Sequence, residues 1–140
     1  MKNNELGYRG YVGSRIYKCG DFPQGVQNMV IRNFCQRNQM TYLLSATEYA
    51  MPGCYMILEE IVNAIQSVNG IVMFSIFMLP GSVAARQDIY KRVLGANRTL
   101  HAALEDISIR SVADIQMVED ILNVSRITKR EPTHLNPAPA

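Results

Sequence analysis

The sequence predicts a single three-layer α/β domain, about four parallel strands alternating with four helices. Three observations predict it. Short runs rich in aromatic and branched residues recur at residues 8–13, 41–46, 70–76 and 99–105. Between them the apolar period changes to three or four residues, as amphipathic helices require. The third run, GIVMFSI, has no polar alternation, which marks a strand covered on both faces at the centre of a parallel sheet.

Taken in order, residues 8–13 (YRGYVG) and 41–46 (TYLLSA) each run into turn-prone or polar residues, as strands do. Val26, Val30 and Phe34 recur at four-residue spacing between them, and Cys54, Leu58, Ile61, Ile65 and Val68 form the stripe of the next helix. Ser82 is placed to cap a third helix that ends near Gly95, with Lys91 and Arg92 close to its negative end. Residues 99–105 (TLHAALE) read as the fourth strand, though Ala102 and Ala103 weaken its strand propensity. Ser111-Val-Ala-Asp114 has capping-box spacing with Asp in place of Glu, and Val112, Ile115, Val118 and Leu122 then give one apolar stripe. The order βαβαβαβα implies right-handed crossovers with helices on both faces of the sheet. From Ser125 onward the chain carries three prolines and little apolar content, so residues 1–124 are expected to form the domain and 125–140 a mobile tail.

At 140 residues, with 48% hydrophobic and 19% charged residues, the chain can bury a core without metal or disulfide staples. Its 14 basic and 12 acidic residues are spread along the chain and leave a net charge of +2, so no nucleic-acid partner is expected. Cys19, Cys35 and Cys54 are odd in number, form no C-x-x-C pair and have no nearby histidine, which speaks against a disulfide framework and a zinc site. A cytoplasmic protein without metal or cofactor is the expectation. The start MKNNELGYRG lacks the apolar core of a signal peptide, and the most hydrophobic run, residues 70–80, is too short to cross a bilayer, so no membrane association is expected.

Ligands of open parallel sheets bind beyond the carboxyl ends of the strands, where strand order reverses. Ser14 and Arg15 follow the first strand, Ser45, Thr47, Glu48 and Tyr49 the second, and Ser75 the end of the third. Pro52-Gly53 would open the second helix, whose free N–H groups favour an anion. Each of these has a plainer reading as well. Arg15 is either a solvated turn residue or a bidentate ligand for phosphate or carboxylate. Glu48 is either a helix-entry partner or a general acid or base. Tyr49 and Tyr55 suit packing with a hydrogen-bonded hydroxyl, and Cys54 suits the core. Gln24 and Gln27 are either helix formers facing solvent or ligands to a polar substrate. His101, inside the fourth strand, reads as a satisfied buried histidine. Ser14, Glu48 and Tyr49 are the candidate catalytic residues, and Arg15, Gln24, Gln27, Ser45, Thr47, Pro52, Gly53 and Ser75 the candidate ligand contacts.

The strings YRGYVGSR, VQNMVIRNFC, YLLSATEYAMPGCYMILEE, GIVMFSIFMLP and LHAALEDISIRS together resemble the sporadic carbohydrate cluster proteins, small bacterial proteins of surface-polysaccharide and unusual-sugar gene clusters. The resemblance spans residues 8–124 and implies a pathway context without a catalytic residue to carry over. At the level of fold the chain also resembles the catalytic domain of serine recombinases of the resolvase type, where a serine follows the first strand as Ser14 does. Two departures stand out: Val12 takes the place of the arginine two positions before that serine, and Met78-Leu79-Pro80 that of an arginine pair, which leaves Arg86 nearby. The first resemblance, with the convergence of polar residues, leads to the expectation of an enzyme acting on a phosphorylated or nucleotide-linked sugar, an anionic sugar-derived small molecule. The competing expectation is a non-catalytic partner of a larger carbohydrate-biosynthesis enzyme. A four-stranded sheet with two open edges further implies a homo-oligomer, dimer or tetramer.

Overall fold

The computed structural model describes the backbone of residues 5–135 and the side chains of residues 5–126. In chain order the elements are β1 (Tyr8–Gly13), α1 (Gln24–Arg37), β2 (Tyr42–Glu48), α2 (Met56–Asn63), β3 (Gly70–Met73), α3 (Val83–Gly95), β4 (Thr99–Ala102), β5 (Ile107–Ile109) and α4 (Val112–Leu135), with 3-10 turns at Ile65–Ser67 and Ile76–Met78. One sheet runs in the order β2-β1-β3-β4-β5. Its first three pairings are parallel and the β4–β5 pairing is antiparallel. This is a mostly parallel α/β sheet with one antiparallel edge strand.

The apolar content of the strands explains the order. Tyr11 and Val12 of β1 and Ile71, Val72 and Met73 of β3 are all buried, as strands covered on both faces must be. The chain moves outward from β1 to β2, then back across β1 to β3. Right-handed crossovers in opposite directions put α1 on one face and α2 on the other. Helix α3 packs beside α2. Among the described residues no helix is long and apolar enough to cross a membrane.

Four details differ from the sequence reading. The fourth strand stops at Ala102, and a turn through Asp106, in the left-handed region at φ 59°, reverses the chain into the short antiparallel β5. The third stops at Met73, because Ser75 accepts the Phe77 N–H and winds the next residues into a 3-10 turn. Pro52-Gly53 does not open α2. Gly53 has φ +73°, which no helix accommodates, and the Cys54 N–H closes a turn on the Met51 carbonyl. Helix α4 continues to Leu135, so the segment read as a tail from Ser125 is helical that far, and residues 136–140 lie outside the described residues. The chain divides into two compact units, one containing the sheet and α1 to α3 and the other α4, with the boundary at Arg110 and Ser111.

Candidate active site

Order reverses between β1 and β3, so the crevice of an open α/β sheet lies at the carboxyl ends of these two strands. Ser14 is the first residue past β1, and it is exposed. The strand end beneath it is held by the buried Gln27 of α1. The Gln27 Oε1 accepts the Gly13 N–H at 3.1 Å, while Nε2 donates to the carbonyls of Gly13 and Phe22 at 2.7 and 2.8 Å. One carboxamide thus serves as a surrogate strand where the ladder ends.

Tyr17 closes over the same point. A Cβ at Gly13 would collide with its hydroxyl, which is the reason for glycine there. That hydroxyl is buried and makes no hydrogen bond among the described residues. Burial pushes the Tyr17 pKa up to about 12 against the opposing Arg15 guanidinium, so the phenol is neutral. Arg15 itself is committed to the fold. Its Nη1 donates to the carbonyls of Met51 (2.8 Å), Cys54 (2.9 Å) and Tyr49 (3.2 Å), and the guanidinium lies 4.9 Å from the ring centroids of both Tyr17 and Tyr55. It clamps the β2–α2 loop.

Glu48 is 1% exposed and has five donors around its two oxygens. Oε1 accepts the Tyr11 hydroxyl at 2.7 Å and the Leu58 N–H at 3.0 Å; Oε2 accepts the N–H groups of Tyr49 and Ile57, each at 3.1 Å, and the Cys54 thiol at 3.7 Å. Burial pushes its pKa up, but the hydrogen bonds from Tyr11, Ile57, Leu58 and Tyr49 outweigh burial and leave the carboxyl below its ordinary value. Glu48 is the cap of α2, an ionised carboxylate on the first free N–H groups of that helix. Its partner Tyr11 is driven far above the ordinary tyrosine pKa by burial and by this carboxylate.

The remaining sequence candidates divide by place. Tyr49 is half exposed, and its backbone serves Glu48 and Arg15. The Thr47 hydroxyl donates to Gln24 Oε1 at 3.3 Å, tying the end of β2 to the start of α1 at the surface. Ser45 sits within β2, its Oγ 2.8 Å from the Tyr42 hydroxyl and packed over Gly10, away from the carboxyl edge. Pro52 and Gly53 lie exposed on the loop that Arg15 clamps. Ser75 is fully buried past β3, where it donates to Glu105 Oε2 at 2.6 Å; Oε1 of Glu105 accepts the Ile76 N–H at 3.0 Å. Burial raises the Cys19 thiol pKa, and a hydrogen bond with Ser75 opposes the rise, so Cys19 belongs to this second cluster. Two groups result: Ser14, Arg15, Tyr17, Glu48 and Tyr49 around the exit of β1, and Cys19, Ser75 and Glu105 past β3. Tyr11, Tyr17, Cys19 and Glu105 are not among the candidate site residues read from the sequence. A tyrosine three positions after Ser14 is a signal for Tyr17, whereas Glu105 is hidden by its assignment to a strand.

No family model and no curated protein matches the chain. Among solved structures it is similar to the N-terminal catalytic domain of TP901-1 integrase, at 14% identity and a TM-score of 0.58, over 88% of this chain and 97% of that one. A resolvase family site-specific recombinase from Streptococcus pneumoniae also aligns, at 13% identity and a TM-score of 0.49, over 91% and 93%. The expectations of a sugar-processing enzyme, of an anionic sugar-derived ligand, of a partner to a carbohydrate-biosynthesis enzyme and of no nucleic acid are overturned by the first of these likenesses, which is to the catalytic domain of an integrase. The long strings that resemble the carbohydrate cluster proteins find no support in any of the three comparisons. What the likeness establishes is the fold, the resolvase-like α/β sheet with Ser14 at the end of its first strand.

Proposed function

We propose that the chain is a resolvase-fold domain of a DNA-recombination system in which Ser14 is the nucleophile toward a DNA phosphodiester. The observation that carries this is the exposed Ser14 directly past β1 at the switch point of the sheet, on a strand end fixed by Gln27 and Tyr17. A nucleophile works when its position is settled before the substrate arrives. In the reaction Ser14 Oγ bonds to phosphorus and the bond from phosphorus to one deoxyribose oxygen breaks. The proton leaving Oγ balances the one taken up by the released deoxyribose hydroxyl. One phosphodiester replaces another, so the step is reversible, as rejoining requires. The three free thiols fit a reducing cytoplasm.

One observation favours a second reading, binding without cleavage. Arg15 is spent on backbone carbonyls, and Arg86 is buried with Nη1 on the carbonyls of Pro80 and Gly81, both at 3.0 Å. These bonds take up part of the donor capacity of each guanidinium. Incubation with supercoiled plasmid followed by denaturing gels separates the readings. A protein–DNA adduct formed by the natural protein and lost in Ser14→Ala supports the nucleophile. Salt-sensitive retardation of duplex DNA, equal in both proteins and without adduct, supports binding alone, and no retardation at low salt sinks both.

A further inference from the structure

A groove of about 510 Å³ opens on the α2 face of the sheet, running from Arg9 of β1 to Thr47 at the end of β2. Its volume lies within the ~300–1,000 Å³ of small-molecule sites. Leu43 and Ala46 of β2 form one side, Ile57 and Ile61 of α2 the other, and Val68 one end. Arg9 of β1 projects into it, half-buried. Among the described residues no hydrogen bond or ion pair engages the Arg9 guanidinium; Glu60 lies on the exposed rim without pairing to it.

The backbone is arranged around this arginine. Tyr8 pairs with Tyr42 and Gly10 with Ser45, so two steps along β1 match three along β2, and the extra residue falls opposite Arg9. Such a bulge re-aims side chains at a sheet edge. Here it leaves Leu43 in the groove and Leu44 75% exposed. A half-buried guanidinium that lines this groove without a paired carboxylate leaves its fork of donors available to an anionic guest.

We propose that this groove binds a small amphipathic monoanion, a carboxylate head paired with Arg9 and an aliphatic body against Leu43, Ala46, Ile57 and Ile61. The guanidinium fork matches a carboxylate with two parallel hydrogen bonds. One arginine balances one charge, and Glu60 at the rim repels a second, so a monoanion is preferred over a phosphate dianion. Ser14 is not among the residues that line it.

The test uses octanoate as probe, with octyl phosphate, octyl glucoside and octyltrimethylammonium beside it, followed by amide shifts of the isotope-labelled protein. Octanoate should bind at about 1 mM or tighter and shift the amides of Ala46, Ile57 and Ala64. Octyl phosphate should bind more weakly and the cation not at all. Arg9→Gln should lower octanoate affinity at least tenfold with an otherwise unchanged spectrum, and Ala46→Leu, which fills the groove, should abolish binding. Equal affinity for the glucoside or the cation, unchanged affinity in Arg9→Gln, or no shifts at these residues would each overturn the proposal. If Ala46→Leu fails to fold, the Arg9 comparison and the probe series still decide it.

Discussion

Glu48 shows how much of this fold rests on one buried charge. It joins β1 through Tyr11 to the start of α2 through Ile57 and Leu58, and all of its partners are donors. Glu48→Gln would turn one of those acceptors into an NH₂ facing an N–H or O–H, so it should cost about 2–4 kcal/mol. Calorimetry should show a Tm lower by roughly 10 °C. Tyr11→Phe removes one donor to the same carboxylate and should cost about 1.5–3 kcal/mol. A proton-transfer role would predict the reverse, lost activity with unchanged stability. Gln27 is a comparable case. Gln27→Leu keeps the volume but strands the N–H and C=O of Gly13 and the carbonyl of Phe22, and denaturant unfolding should register a loss of about 2–3 kcal/mol.

At the scale of elements, the β2–α2 loop has little regular structure of its own and is shaped from outside by Arg15. In Arg15→Ala the carbonyls of Tyr49, Met51 and Cys54 lose their common donor and Tyr17 and Tyr55 lose the cation between them. Hydrogen exchange should quicken at residues 51–58 while the β1 amides keep their protection, with a global cost of about 1–2 kcal/mol. Arg15→Lys should recover only part of this, since an ammonium lacks the plane that fits between two rings. The loop was not legible, since Pro52-Gly53 suggests a helix start that the positive φ of Gly53 forbids, whereas the amphipathic stripe of α2 from Leu58 onward is plain in the sequence. That Glu48 would reach forward to cap the helix was not, because the residues of the cap come from either side of a seven-residue loop whose path Arg15 sets. The antiparallel β5 was hidden for a different reason, since three residues are too few to show a period.

For the whole molecule the clearest prediction concerns acid. His101 is 1% exposed, its ring nitrogens meet the hydroxyls of Thr99 and Ser108 at 2.8 and 2.7 Å, and its ring packs near Tyr8 and Phe34. Burial, with a smaller contribution from Arg110, pushes its pKa down to about 4. The unfolded chain binds the proton near pH 6.5 and the folded chain does not until about pH 4, so stability falls as pH drops through that window. The loss amounts to roughly 3 kcal/mol. Glu48 acts in the same direction lower down, because a carboxyl held below its ordinary pKa stabilises the fold when ionised and loses that contribution as it protonates. Urea midpoints between pH 4 and pH 7.5 should fall with acid, and in His101→Gln the fall between pH 6.5 and pH 4 should flatten. A slope unchanged by the substitution would remove His101 as its source.

By itself the sequence determined the alternation of strands and helices, the central place of β3, the Ser82 cap and the helical stripes, because these depend on period and composition within a dozen residues. It also placed Ser14 at a strand end. Only the tertiary structure decided what the polar residues do there. Hydrogen-bond partners are chosen by which backbone groups three-dimensional packing leaves unsatisfied, and those lie far apart in sequence: Gly13 for Gln27, the start of α2 for Glu48, three loop carbonyls for Arg15. The arrangement of charged residues along the chain, read as a ligand site, is for the most part the means by which the carboxyl edge of the sheet is held together.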